Sequence, residues 1–198
     1  MTHQVKEQLL SAGQTLMLNQ GYNATTIQQI CEKAKTTKGS FFHYFKNKED
    51  YGKAVALNYW EESKAYILSA PFHQLKDPLQ RVFGWIDLFD TPDADPNTSC
   101  LLGNLSQEIF QTFPSIREMC AVCFREFSSL IKKDLDAAKV KYGMTEEADT
   151  QELADYFVAL SEGALLMSKA HQDAKIGQMA LRHFKRYIAL LFYTSSKT

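Results

Sequence analysis

The chain has 198 residues, of which 45% are hydrophobic and 23% charged, and a formal net charge of −1. That length can bury a sizeable core, and the balance is that of a globular protein rather than a disordered one. The net charge excludes a uniformly basic nucleic-acid binder, and five prolines with nine glycines are too few for a turn-rich β architecture, so an all-α fold is expected.

The first helix is read from Val5, Leu9, Ala12 and Leu16, which share one helical face, and Gly21 supplies its stop. A second begins at Thr25 or Thr26. Either threonine gives a capping box, because Gln28 and Gln29 each follow one by three residues. Its inward face is Ile27, Ile30, Cys31 and Ala34. The polar break Lys35-Thr36-Thr37 offers a cap for a third helix, about Lys38 to Phe45, in which Phe41 and Phe45 pack inward. Asn47 caps a fourth, about Lys48 to Leu68, ending before Pro71; Glu49 and Asp50 complement its positive end. An amphipathic segment spans Pro78 to Phe89, and Thr91 to Asn97 is the clearest loop. Further helices are expected from Leu101 to Thr112, from beyond Pro114 to Tyr142 with Gly143 as stop, from Glu146 to Gln172, and from Asp173 to Tyr193. The total is about nine.

No apolar run approaches the roughly 20 residues that span a bilayer. Met1-Thr2-His3-Gln4 lacks the basic cap and apolar stretch of a signal peptide. The four cysteines form no dense framework. A cytoplasmic chain with reduced thiols and no membrane partner is therefore expected. No cluster of histidines and carboxylates has metal-ligand spacing, so neither metal nor cofactor is expected.

Charge is unevenly placed. Residues 1–50 carry a net +2 and the remainder −3. Five lysines and no acidic residue lie from Lys33 to Lys48, a stripe that can meet phosphate or serve as a solvated face. Two short helices separated by a tight break suit the major groove, where each base pair shows a distinct donor, acceptor and methyl pattern.

The residues Thr25-Thr26-Ile27 through Ala34, then Thr37 through Glu49, resemble the DNA-binding head of the TetR (tetracycline-repressor-like) family. The likeness covers about residues 5–55 and is strongest from Lys38 to Glu49. It implies a helix-turn-helix over residues 26–45, with residues 1–50 as the DNA-binding part and 51–198 as a ligand-binding and dimerisation part. Candidate DNA-contacting residues are Thr26, Lys38, Gly39, Ser40, Phe42, His43, Tyr44 and Lys48. Thr26 and its free helix-end N–H groups suit phosphate. Lys38 can donate to guanine or phosphate, and Ser40 to either. Gly39 lets the backbone approach DNA, or permits tight packing of the third helix on the second. Phe42, often tyrosine in the family, can touch a thymine methyl. His43, Tyr44 and Lys48 are phosphate donors, with half core as the alternative for Tyr44. Two departures stand out: Lys35 occupies the position of a usual turn glycine, and Thr36 that of a usual apolar residue.

For the C-terminal part the resemblance implies a homodimer formed by the last two helices, binding a palindromic operator as a repressor. Residues 153–170 and the final stripe Leu181, Phe184, Ile188 and Leu191 serve either as that interface or as core; Gly163 and Ala164 would permit close helix approach. Trp85, Phe89, Phe124, Phe127 and Tyr156 are candidates to line an effector cavity, or ordinary core, as is Phe110. Cys100 opens a helix, with Asn104 one turn on, in a segment that resembles a thiol- and electrophile-responsive subgroup; the alternative is a small buried cysteine. Two other readings remain: a helical thiol-dependent redox protein or enzyme, which lacks a paired general base, and a helical binding protein without DNA affinity. The expectation is a regulator and not an enzyme.

Overall fold

The computed structural model describes residues 2–144 and 149–195. Nine α-helices and one 3-10 turn are present among the described residues, with no strand. They are α1 (Thr2–Gln20), α2 (Ile27–Lys33), α3 (Lys38–Tyr44), α4 (Lys48–Leu68), the 3-10 turn (Pro71–Gln74), α5 (Pro78–Phe89), α6 (Leu101–Ile109), α7 (Pro114–Tyr142), α8 (Thr150–His171) and α9 (Ala174–Ser195). No helix is long and apolar enough to cross a membrane among the described residues.

Local chemistry explains most boundaries. Asp77 caps α5 by accepting from the Leu79 N–H, and Pro78 takes the first helical position, where its missing donor costs nothing. Gly143 adopts φ +65° after α7. α3 stops at Tyr44, one residue short of expectation, because Phe45 turns extended (φ −132°) to bury its ring. α6 stops at Ile109 rather than Thr112. The Thr112 and Phe113 N–H groups both close on the Ile109 carbonyl, turning the chain before Pro114 opens α7. α8 starts at Thr150 on the Asp149 cap; the expected start at Glu146 lies outside the described residues.

The chain forms two compact units, Met1–Ser63 with Ser99–Cys123, and Lys64–Thr98 with Phe124–Thr198. The first contains α1–α3, most of α4, α6 and the start of α7. Its centre is built on Tyr51, whose hydroxyl donates to the Leu9 carbonyl at 2.6 Å. Phe41 and Phe45 pack on the same ring at 5.0 and 4.9 Å between centroids. Gly13 faces that hydroxyl so closely that a Cβ would lie 2.0 Å from it. The buried stripe of α1 therefore runs through Leu9, Ala12, Gly13 and Met17, while Val5 and Leu16 are only half-buried.

The second unit has a core of Leu79, Val82, Trp85 and Ile86 from α5, Ile131 and Leu135 from α7, Phe157 from α8, and Leu181, Phe184, Ile188 and Phe192 from α9. Leu181, Phe184 and Ile188 are thus core in this chain. Gly177 lets α9 cross α8 closely: its N–H donates to Ser168 Oγ at 3.0 Å, and a Cβ there would sit 2.6 Å from that oxygen.

Candidate nucleic-acid interface

Thr26 is the N-cap of α2. Its hydroxyl accepts from the Gln29 N–H while the Gln29 side chain accepts from the Thr26 N–H, a complete capping box. Thr25 is buried and donates to the Gly21 carbonyl instead. Ile30, Cys31 and Ala34 are buried, and Ile27 half-buried.

The break between the helices has a definite geometry. The Thr36 N–H donates to the Cys31 carbonyl at 2.9 Å and the Lys35 N–H to Glu32 at 3.1 Å, the two reversed bonds of a Schellman turn. Lys35 sits at its apex with φ +52°, the left-handed region that favours glycine. The departure seen in the sequence is therefore a lysine held in a glycine-type conformation.

Thr37 caps α3, its hydroxyl accepting from the Ser40 N–H at 3.1 Å and lying 3.1 Å from the Ser40 hydroxyl. From this cap α3 presents Lys38, Gly39, Phe42 and His43 as exposed residues; Phe42 is 53% exposed and leans edge-on against Phe41. Ser40 and Tyr44 are half-buried, with Tyr44 packed against His43 at 4.8 Å. A Cβ on Gly39 would meet only Thr37 Oγ1, at an ordinary 3.6 Å. Packing of α3 on α2 therefore does not require this glycine.

Lys48 is half-buried at the start of α4, where Asn47 Oδ1 accepts from the Asp50 N–H. The Lys48 ammonium donates to the Asn23 carbonyl at 3.3 Å and lies 4.4 Å from the centre of the Tyr22 ring. Burial pushes its pKa down, against the opposing pull of Glu108.

The effector candidates fall into both units. In the second, Trp85 is buried with its Nε1 donating to Asp134 at 2.9 Å. Phe127 packs against Trp85 and Phe89 at 6.1 and 5.9 Å. These three are brought together. Phe124 instead borders a shallow apolar cavity of about 310 Å³ with Val158 and Ala159. Tyr156 is half exposed and rests edge-on against Phe184 at 5.3 Å. Phe110, in the first unit, is also exposed.

Cys100 and Asn104 belong to the first unit. Cys100 precedes α6 and is half-buried, in contact with the Tyr59 hydroxyl, which also bonds to Ser63 and to the Leu101 N–H. Burial first, then the Cys100 thiol, push the Tyr59 phenol well above its usual range. Asn104 Nδ2 donates to Ser99 Oγ at 3.2 Å. Cys31, Cys120 and Cys123 are buried, and burial pushes the Cys31 and Cys120 thiols up.

Residues 9–54 match the family model of bacterial regulatory proteins of the tetR family. Residues 77–184, more than half of the chain, match the tetracyclin repressor-like C-terminal domain. The chain belongs to the TetR family. Among relatives of this TetR-family regulator, the HTH-type transcriptional repressor NemR of Escherichia coli strain K12 is 26% identical, the match covering 94% of this chain and 95% of NemR. The HTH-type transcriptional repressor DhaR of Mycobacterium sp. strain GP1 is 24% identical, covering 85% and 84%. A solved structure of the regulatory protein TetR from Rhodobacter sphaeroides superposes with a TM-score of 0.81 at 25% identity, covering 91% of this chain and 97% of that one.

Three residues of this TetR-family chain escaped the sequence reading: Tyr59, Glu108 and Asp134. Each meets a partner 41 to 86 positions away, which no local spacing pointed to.

Proposed function

We propose that the protein is a transcriptional repressor of the cytoplasm that binds an approximately palindromic operator as a homodimer and releases it when an effector acts on the chain. The observation that carries this reading is α3, which presents Lys38, Gly39, Phe42 and His43 outward while its aromatic neighbours Phe41 and Phe45 form the core. A glycine in the first turn of α3 that its own chain does not need is explained by an approaching surface. Thr26, Ser40, Tyr44 and Lys48 flank it as phosphate donors. The relatives named as repressors support the direction of control.

Dimerisation is assigned to the outer faces of α8 and α9. Leu166, Met167, Met179, Tyr187 and Leu190 are exposed there, an apolar patch of the kind that marks a protein–protein interface. Two-fold symmetry then places the recognition helices about one DNA turn apart, roughly 34 Å. In functional terms residues 1–50 meet DNA, and 51–198 receive the effector and pair the subunits. The effector is a small molecule held near Trp85, Phe89 and Phe127, or an electrophile that adds to the Cys100 thiol. Release needs only that either favour a conformation whose two heads no longer match the half-site spacing.

A gel-shift assay with the DNA upstream of its own gene tests the reading. Sequence-specific binding that weakens steeply as salt rises is expected. No specific shift over any neighbouring promoter would defeat it. Retained induction by electrophiles in a Cys100→Ser variant would remove the thiol route and leave the small-molecule one.

A further inference from the structure

The turn between α1 and α2 is held by a residue far along the chain. Glu108, in the last turn of α6, accepts from the Tyr22 N–H at 2.7 Å and from the Asn23 N–H at 2.8 Å, one on each carboxylate oxygen. The turn is shaped around this carboxylate: Gly21 adopts φ +84°, and a Cβ there would lie 2.8 Å from Glu108 Oε2. The two residues held this way are those that hold Lys48. Its ammonium lies over the Tyr22 ring and donates to the Asn23 carbonyl. Adjoining residues complete the grip. Phe113 packs edge-on against Tyr22 at 5.3 Å, and the Ser115 hydroxyl donates to Glu49, the residue after Lys48.

We propose that Glu108 is a positioning residue for DNA binding, fixing the Tyr22–Asn23 turn that in turn holds the Lys48 ammonium where a phosphate can reach it. The chain of contacts is continuous and lies within one compact unit. An ammonium has three donors, and among the described residues one goes to the Asn23 carbonyl, which leaves donor capacity for a phosphate. Holding a flexible lysine in place removes the ordering entropy that binding must otherwise overcome. Glu108 lies well outside the matched DNA-binding segment, residues 9–54. It gives α6 direct purchase on the head.

The inference rests on the DNA-binding reading above, and a double-mutant cycle tests it. Glu108→Gln keeps shape but loses one acceptor, since its new amide meets the backbone N–H donor with another donor. The readout is affinity for a duplex from the protein's own promoter, or for a random duplex if no specific site exists, at a temperature where circular dichroism shows every variant folded. Glu108→Gln should weaken binding about tenfold, a size typical of partners in one bonded network. In a Lys48→Ala background the same change should alter affinity by less than about twofold, because Glu108 acts through Lys48. The Tyr22 and Asn23 amides should also exchange hydrogen faster in Glu108→Gln. Equal losses in both backgrounds, no loss in either, or unchanged amide exchange would overturn the proposal. If the unaltered protein binds no duplex at all, the DNA-binding reading itself falls and takes this one with it.

Discussion

Lys35 bears a cost imposed by its position. A non-glycine residue in the left-handed region is disfavoured by about 1–2 kcal/mol. Lys35 occupies that region because the Schellman turn ending α2 requires it there. Lys35→Gly should therefore raise stability by up to about 1 kcal/mol, after the extra entropy of glycine in the unfolded chain is deducted. In thermal unfolding this appears as a rise of about 2–4 °C; a lower melting temperature would refute it. Removing the lysine also tests whether Lys35 adds a phosphate contact, through a shallower salt dependence of binding.

Tyr22 is 1% exposed, and burial, followed by the nearby Glu49 and Glu108 carboxylates, pushes its phenol up to about 12 from an ordinary 10. Burial pushes the Tyr51 phenol higher still. The folded state thus keeps protons that the unfolded chain releases at about pH 10. This stabilisation is complete below that pH and is lost as pH rises towards the folded values. Each such tyrosine contributes a slope of about 1.4 kcal/mol per pH unit in that window. Urea midpoints should fall between about pH 10 and 12, the window those values set, and a Tyr22→Phe variant should show a gentler fall.

At the scale of elements, α3 carries the clearest trade-off between fold and function. Gly39 is the second residue of α3, where glycine costs less than the roughly 0.5–1 kcal/mol of a helix interior, and no packing contact within the chain needs it. Gly39→Ala is expected to stabilise the protein slightly, by less than about 0.5 kcal/mol, while weakening operator binding by about tenfold or more. Opposite signs in melting temperature and gel-shift affinity are the signature. Unchanged DNA binding would remove Gly39 from the interface. The short helices were legible for a related reason. Thr26 with Gln29 and Thr37 with Ser40 are local chemistry, acting within three residues. Periodicity placed Phe45 inward, as it is found, but not its backbone, which is extended rather than helical because it answers to Phe41 and Tyr51 rather than to its neighbours in sequence.

For the whole molecule, α8 offers a test that separates fold from assembly. Gly163 is exposed, and a Cβ there would meet nothing within 4 Å in the single chain. Gly163→Leu should leave circular dichroism and melting of the monomeric fold little changed. If α8 pairs with its counterpart in a second copy, the added side chain should raise the dimer dissociation constant at least about tenfold, as over-packing typically costs 1–3 kcal/mol. Sedimentation velocity would detect this as a shift from dimer to monomer. A variant that dimerises as tightly as the parent would place the interface elsewhere.

The sequence by itself determined the all-α class, the capped pair of short helices, the family resemblance and the set of side chains that α3 can offer to DNA. These rest on interactions within one or two helical turns, which periodicity and capping residues record directly. Only the tertiary structure decided which apolar stripes are core: Leu181, Phe184 and Ile188 face inward, whereas Leu166, Met167 and Leu190 stay exposed. Only it showed Glu108 gripping the turn beside Lys48, and Tyr59 beside Cys100. Those contacts join residues more than 40 positions apart, and what brings them together is the packing of whole helices, which no local pattern encodes.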